Sequence, residues 1–82
     1  MNKAEIQQKI ANVIVDRMCE KPENVKSESR FREDLGMDSL DVVELTMEAE
    51  KEFKITISDQ ETYDLTTVES LVNVVDSKLN GK

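Results

Sequence analysis

The sequence predicts an all-α domain. Only three of its 82 residues are glycine or proline, too few for the turns a sheet needs. Apolar residues recur with a helical period in three separate segments, and only two short stretches carry strand character. The length allows one domain, residues 1–82, and a chain this short buries only about 60% of the surface it exposes when unfolded. The core is therefore small, with no room for a large active-site cavity.

The first helix has the clearest stripe. Ile6, Ile10, Val13, Ile14 and Met18 share one side at 3.6 residues per turn. Asn2 can cap it, with Glu5 three residues on as the reciprocal partner of a capping box. The stripe fails at Cys19-Glu20-Lys21 and Pro22 follows, which ends the helix near residues 18–20. Residues 21–37 form a long first loop with no useful helical period. In it Val25, Phe31 and Leu35 are isolated apolar residues; Phe31 and Leu35 are expected to plug the core and hold the loop down. A short helical turn fits after Pro22. The second helix starts at Asp38-Ser39-Leu40-Asp41. Asp38 is a good N-cap, Gly36 lets the chain turn, and Asp41 places a carboxylate at the positive end of the helix dipole. Val42, Leu45, Ala49 and Phe53 then share the core face. Residues 53–57 alternate like a strand but have no partner, so they read as an extended connection that buries Phe53 and Ile57. Residues 59–64 fit a short third helix capped by Ser58 or Asp59. Thr66 and Glu69 suggest a capping box for a final helix with the stripe Val68, Leu71, Val72, Val75 and Leu79, ended by Asn80-Gly81.

Composition narrows the chemistry. With no histidine there is no Ser-His-Asp or Cys-His machinery and no imidazole metal site, so a hydrolase is disfavoured. A lone Cys19 forms neither an internal disulfide nor a zinc site, and reads as an inert thiol. Acidic residues outnumber basic ones 18 to 11, which argues against nucleic acid. No apolar run approaches the ~18 residues of a membrane span, and the N-terminus lacks the apolar stretch of a signal peptide. A monomeric cytoplasmic protein without a resident metal is expected. Asp34, Gly36, Asp38 and Asp41 do not match an EF-hand loop.

Three features stand out around the second helix. Leu40, Val43 and Met47 form a second apolar stripe about 160° from the core stripe, facing water beside Asp41, Glu44 and Glu48. Such a stripe suits docking to a basic partner with an apolar groove, although small helices also expose a few apolar residues by chance. Residues 33–64 hold eleven acids and two bases, a net −9, leaving +2 elsewhere. That field steers cationic partners or simply keeps the surface solvated. Ser39 lies in the first helical turn, where free N–H groups favour a phosphate, or where it merely assists the cap.

Asp34-Leu35-Gly36-Met37-Asp38-Ser39-Leu40-Asp41 resembles the D-L-G-x-D-S-L-D signature of acyl carrier proteins. Phe31-Arg32-Glu33 before it, Val43-Glu44-Leu45 and Glu50-Lys51-Glu52-Phe53 after it, and Thr66-Thr67-Val68 extend the likeness over nearly the whole chain. The resemblance implies a four-helix bundle with a long first loop and a short third helix. It implies that a phosphopantetheinyl transferase attaches 4′-phosphopantetheine to Ser39, with Asp38 assisting the Mg²⁺-dependent transfer. The arm then carries acyl groups as thioesters, and the chain itself is not an enzyme. Leu40, Asp41, Val43, Glu44, Met47 and Glu48 become the docking strip for basic patches on ketosynthase, ketoreductase, dehydratase, enoyl reductase and acyltransferases of type II fatty acid synthesis. Phe31, Val42, Leu45, Ala49, Ile57, Leu65 and Leu71 become the shelter for the acyl chain, with the small Ala49 leaving room. Three departures are visible. Ser58 replaces a usual proline, which suggests a looser start to the third helix; Lys51 and Lys54 replace frequent acids; and residues 19–22 lack a common glycine. A specialised carrier for polyketide, lipid A or aminoacyl (D-alanyl) chemistry is the alternative within the class. A cofactor-free helical interaction module is the alternative outside it.

Overall fold

The computed structural model describes residues 1–81. It contains α1 (Lys3–Met18), a 3₁₀ turn (Pro22–Asn24), α2 (Ser39–Phe53), α3 (Asp59–Tyr63) and α4 (Val68–Asn80), with no strand among the described residues. The four-helix bundle with a long first loop and a short third helix is thus the observed architecture.

Each helix starts where its sequence offers a cap. In α1 the Glu5 N–H donates to Asn2 Oδ1 at 2.8 Å while the Asn2 N–H donates to Glu5 Oε1 at 3.1 Å. Two of the first turn's orphan donors are thereby satisfied. Ile6, Ile10 and Ile14 are fully buried, and Val13 and Met18 pack at the core's margin. α1 lies chiefly against α4, and antiparallel to it, since Asn80 Nδ2 donates to Met1 O at 2.8 Å. It is also antiparallel to α2, where Lys9 pairs with Glu52 near one end and Arg17 with Asp41 near the other.

The long loop is part of the core. Phe31 and Leu35 are buried as expected, and Val25 and Met37 join them. Ser29 is buried too; its Oγ donates to Asn24 O and accepts from the Lys26 N–H, closing the loop on itself. Thr46, on the inner side of α2, is buried with its hydroxyl donating to Val43 O at 2.7 Å.

The cap of α4 lies one residue later than Thr66 and Glu69 suggest. Thr67 accepts from the Ser70 N–H and Ser70 answers as the reciprocal partner. Thr66 is committed elsewhere: its carbonyl accepts from the Phe31 N–H at 2.9 Å beside an isolated antiparallel bridge, Arg30 to Thr67. The chain is held extended there, so the helix cannot begin before Val68. Ser58 does not loosen α3. It forms a complete capping box with Glu61, and Lys78 of α4 reaches Glu61 at 3.2 Å. After the turn at Lys54, residues 55–57 connect α2 to α3 outside any helix; Ile57 is buried, as expected, and its N–H donates to Glu50 Oε2 at 2.8 Å.

Two helices end on non-glycine residues in the left-handed region, Cys19 at φ 53 and Lys54 at φ 57. Cys19 is exposed at the end of α1. A side chain there crowds the following carbonyl, whereas glycine does not. Lys54→Gly is therefore expected to raise Tm by about 2–6 °C in thermal unfolding followed by circular dichroism. An unchanged or lower Tm contradicts this reading.

Candidate functional site

The contacts within residues 30–41 place Ser39 at the surface, at the start of α2. Asp34 closes the first turn: its carboxylate accepts from the Arg30 N–H at 2.8 Å and from the Arg30 guanidinium at 3.2 Å. These bonds favour the charged form and hold the Asp34 pKa below its ordinary 3.8, the backbone N–H contributing most. Leu35 then enters the core. Gly36 sits at φ +68, the left-handed conformation that glycine adopts without strain, and Met37 turns inward again with its N–H donating to Phe31 O at 2.8 Å. Asp38 caps α2 by accepting from the Asp41 N–H at 2.9 Å, and Asp41 accepts in return from the Asp38 N–H at 3.2 Å.

Ser39 is therefore the first residue of α2, and it is exposed. The cap uses the N–H of Asp41, which leaves those of Ser39 and Leu40 outside the helix's own bonding. Arg32 Nη2 donates to Ser39 Oγ at 2.5 Å. Neither this contact nor the engagement of Arg17 is legible in local periodicity.

The second apolar stripe faces water. Leu40, Val43 and Met47 are 62%, 41% and 53% exposed. The acids beside it are less free than a count of charges suggests. Arg17 of α1 contacts Glu44 and reaches Asp41 Oδ1 at 3.4 Å, while Asp41 also serves in the cap. Glu48 is exposed and makes no ion pair among the described residues. The residues considered for acyl shelter are brought together: Phe31, Val42, Leu45, Ala49, Ile57, Leu65 and Leu71 are all buried in one closed cluster. Among the described residues no group of three or more His, Cys, Asp or Glu could hold a metal ion, and no helix is long and apolar enough to cross a membrane.

A family model described as the phosphopantetheine attachment site matches residues 8–75. The fold is similar to that of an acyl carrier protein from Thermotoga maritima, with a TM-score of 0.84 and 34% identity over 96% of this chain and 92% of that one. It is also similar to an acyl carrier protein from Enterococcus faecalis, noted for high thermal stability, with a TM-score of 0.79 and 31% identity over 95% and 99% of the two chains.

The chain belongs to the acyl carrier protein family.

As an acyl carrier protein it is built to bear 4′-phosphopantetheine covalently, and its fold implies work with a transferase and with partner enzymes in general. The residues present suit that group. An open hydroxyl stands at a helix start, with a guanidinium on it and backbone N–H groups beside it.

Asp34 gives this loop a pH signature. Its folded pKa is depressed, so its stabilisation is present above the ordinary value of 3.8 and is lost as pH falls through the lowered one. Asp34→Asn is expected to lower Tm at neutral pH, and the gap from the natural chain should close in acid below about pH 4. Melting curves from neutral pH downward check this; a gap that persists in acid contradicts it.

Proposed function

We propose that this acyl carrier is loaded at Ser39 and serves type II fatty acid synthesis, all 82 residues acting as a single carrier domain. The observation that carries the reading is an exposed hydroxyl at the first position of α2, inside the segment Asp38-Ser39-Leu40. In the transfer the Ser39 Oγ–P bond forms as the pyrophosphate P–O bond of coenzyme A breaks; adenosine 3′,5′-bisphosphate is the leaving group, and the hydroxyl gives up its proton. When bound, the arm supplies a terminal thiol that holds acyl groups as thioesters. This chain's own residues position and shelter; they do no chemistry on the cargo. Asp38 keeps one carboxylate oxygen in the cap, and its other oxygen is available to the Mg²⁺ ion that accompanies transfer.

Docking falls to the exposed stripe and its acids. Leu40, Val43 and Met47 offer apolar contact while Asp41, Glu44 and Glu48 attract a basic patch. Shelter of an acyl chain falls to Val42, Leu45 and Ala49 on the inner side of α2, with Phe31, Ile57, Leu65 and Leu71 opposite. Each buried CH₂ gains at most about 0.8 kcal/mol, less the cost of parting helices that are closed in the empty form. A dedicated carrier for polyketide, lipid A or D-alanyl chemistry is the second reading. The observation favouring it is a thinned acidic strip, with Arg17 on Asp41 and Glu44 and with lysines at 51 and 54. Acceptance of the loaded carrier by a malonyl transferase and ketosynthase of type II synthesis supports the first reading; refusal supports the second.

Incubation with coenzyme A, Mg²⁺ and a broad-specificity phosphopantetheinyl transferase is expected to add one pantetheinyl group by intact mass, and none to Ser39→Ala. An unmodified natural chain, or a modified Ser39→Ala, removes the assignment. Glu44→Lys and Met47→Glu are each expected to lower kcat/KM with partner enzymes about tenfold, equivalent to about 1.4 kcal/mol, with unchanged far-UV circular dichroism. Unchanged turnover removes the strip from the docking surface.

A further inference from the structure

The basic side chains around Ser39 have unequal partners. Arg17 is engaged with Asp41 and Glu44, and Arg30 with Asp34. Arg32 is different. It is exposed, joined to no carboxylate by an ion pair among the described residues, and its Nη2 donates to the neutral hydroxyl of Ser39 at 2.5 Å. Three acids lie close by in sequence, Glu33, Asp34 and Asp38. A guanidinium presents five donors in a planar fork whose best partners are carboxylate and phosphate, and a hydroxyl accepts from only one of them here.

We infer that Arg32 is the positioning residue for the phosphodiester, pairing with it once it is formed at Ser39 Oγ. The inference rests on Ser39 being the loaded residue. Loading converts the atom that Arg32 already contacts from a neutral hydroxyl oxygen into the bridging oxygen of a monoanion. The new charge stands beside Asp38 and Asp41, which repel it, so a cation at the same atom has something to offset. The guanidinium also projects from fixed backbone. On one side Phe31 is buried, with its N–H bonded to Thr66 O and its carbonyl accepting from Met37; on the other the Asp34 turn is closed on Arg30. Charge-assisted pairing to phosphate from such a base is stronger than a neutral contact and geometrically specific. Arg32 thereby holds the root of the arm over the start of α2, and the rest of the arm stays free to swing.

The test compares loaded and unloaded forms of the natural chain, Arg32→Gln and Arg32→Lys. Intact mass first establishes one pantetheinyl group on each, with Ser39→Ala as the control. Melting then follows at about 0.01 M and about 1 M salt, between which the screening length falls from about 30 Å to about 3 Å. At low salt, loading is expected to lower Tm in Arg32→Gln by about 3 °C or more relative to its effect on the natural chain, with Arg32→Lys between the two. High salt should remove most of that difference. The Arg32 Nε resonance in ¹⁵N–¹H spectra is expected to move on loading, while that of Arg17 stays in place. An equal loading shift in the natural chain and Arg32→Gln at low salt, or an unmoved Arg32 Nε resonance, overturns the role of Arg32 and leaves Ser39 standing. A natural chain that takes up no pantetheinyl group overturns both.

Discussion

Three main-chain hydrogen bonds clasp the long loop to the start of α4: Glu69 N–H to Ser27 O, Val68 N–H to Ser29 O and Phe31 N–H to Thr66 O, at 2.9–3.0 Å. They fix the loop far from its ends, where helices cannot. Phe31 is driven into the core by that clasp, and Met37 bonds back to it, so the chain leaves the loop at one place and in one direction. The turn at Gly36 and the Asp38 cap then follow from local chemistry. Ser39 is on the surface because the residues before it are anchored and Val42, three positions later, is buried. Without the clasp, a loop of this length would lose far more entropy in holding a serine at a defined point.

Charge is arranged across the fold more evenly than along the chain. The −9 of residues 33–64 is partly met by bases from outside that window, through Arg30 on Asp34, Arg17 on Asp41 and Glu44, Lys9 on Glu52 and Lys78 on Glu61. Each exposed pair adds little stability, typically under about 1 kcal/mol. Their larger effect is on recognition. Arg17 engages two acids of the proposed docking strip, so a basic partner docking there would compete with it for Glu44. The field remaining over α2 is therefore weaker and more local than the count of acids implies, while the apolar stripe stays exposed.

Much of this was readable from local pattern. The α1 stripe, the Asn2 and Asp38 caps, the two faces of α2 and the burial of Phe31 and Leu35 all follow from spacing and side-chain type, and the structure bears them out. What escaped is non-local. The α4 cap moved from Thr66 to Thr67 because a carbonyl of the former is committed to the loop. Ser29 and Met37 are buried through loop contacts and hydrogen bonds that no helical period encodes, whereas Thr46 falls on the core period of α2 and was passed over because it is polar. Arg17 is an exposed residue of α1 and Arg32 belongs to the long loop, and only folding brings them to Asp41 and Ser39, 24 and 7 residues along the chain. The segment 34–41 was legible chiefly because it resembles the carrier signature, while the turn at Gly36 and the cap at Asp38 also follow from local side-chain chemistry.

We propose that one hydroxyl, held at the bundle's surface by an anchored loop, is the root of the carrier's arm. A through-bond phosphorus–proton correlation spectrum of the loaded protein tests this most directly. The expected result is a phosphodiester phosphorus coupled to the β-protons of Ser39 as well as to the methylene of the pantetheine. Coupling to the side chain of any other residue would contradict it.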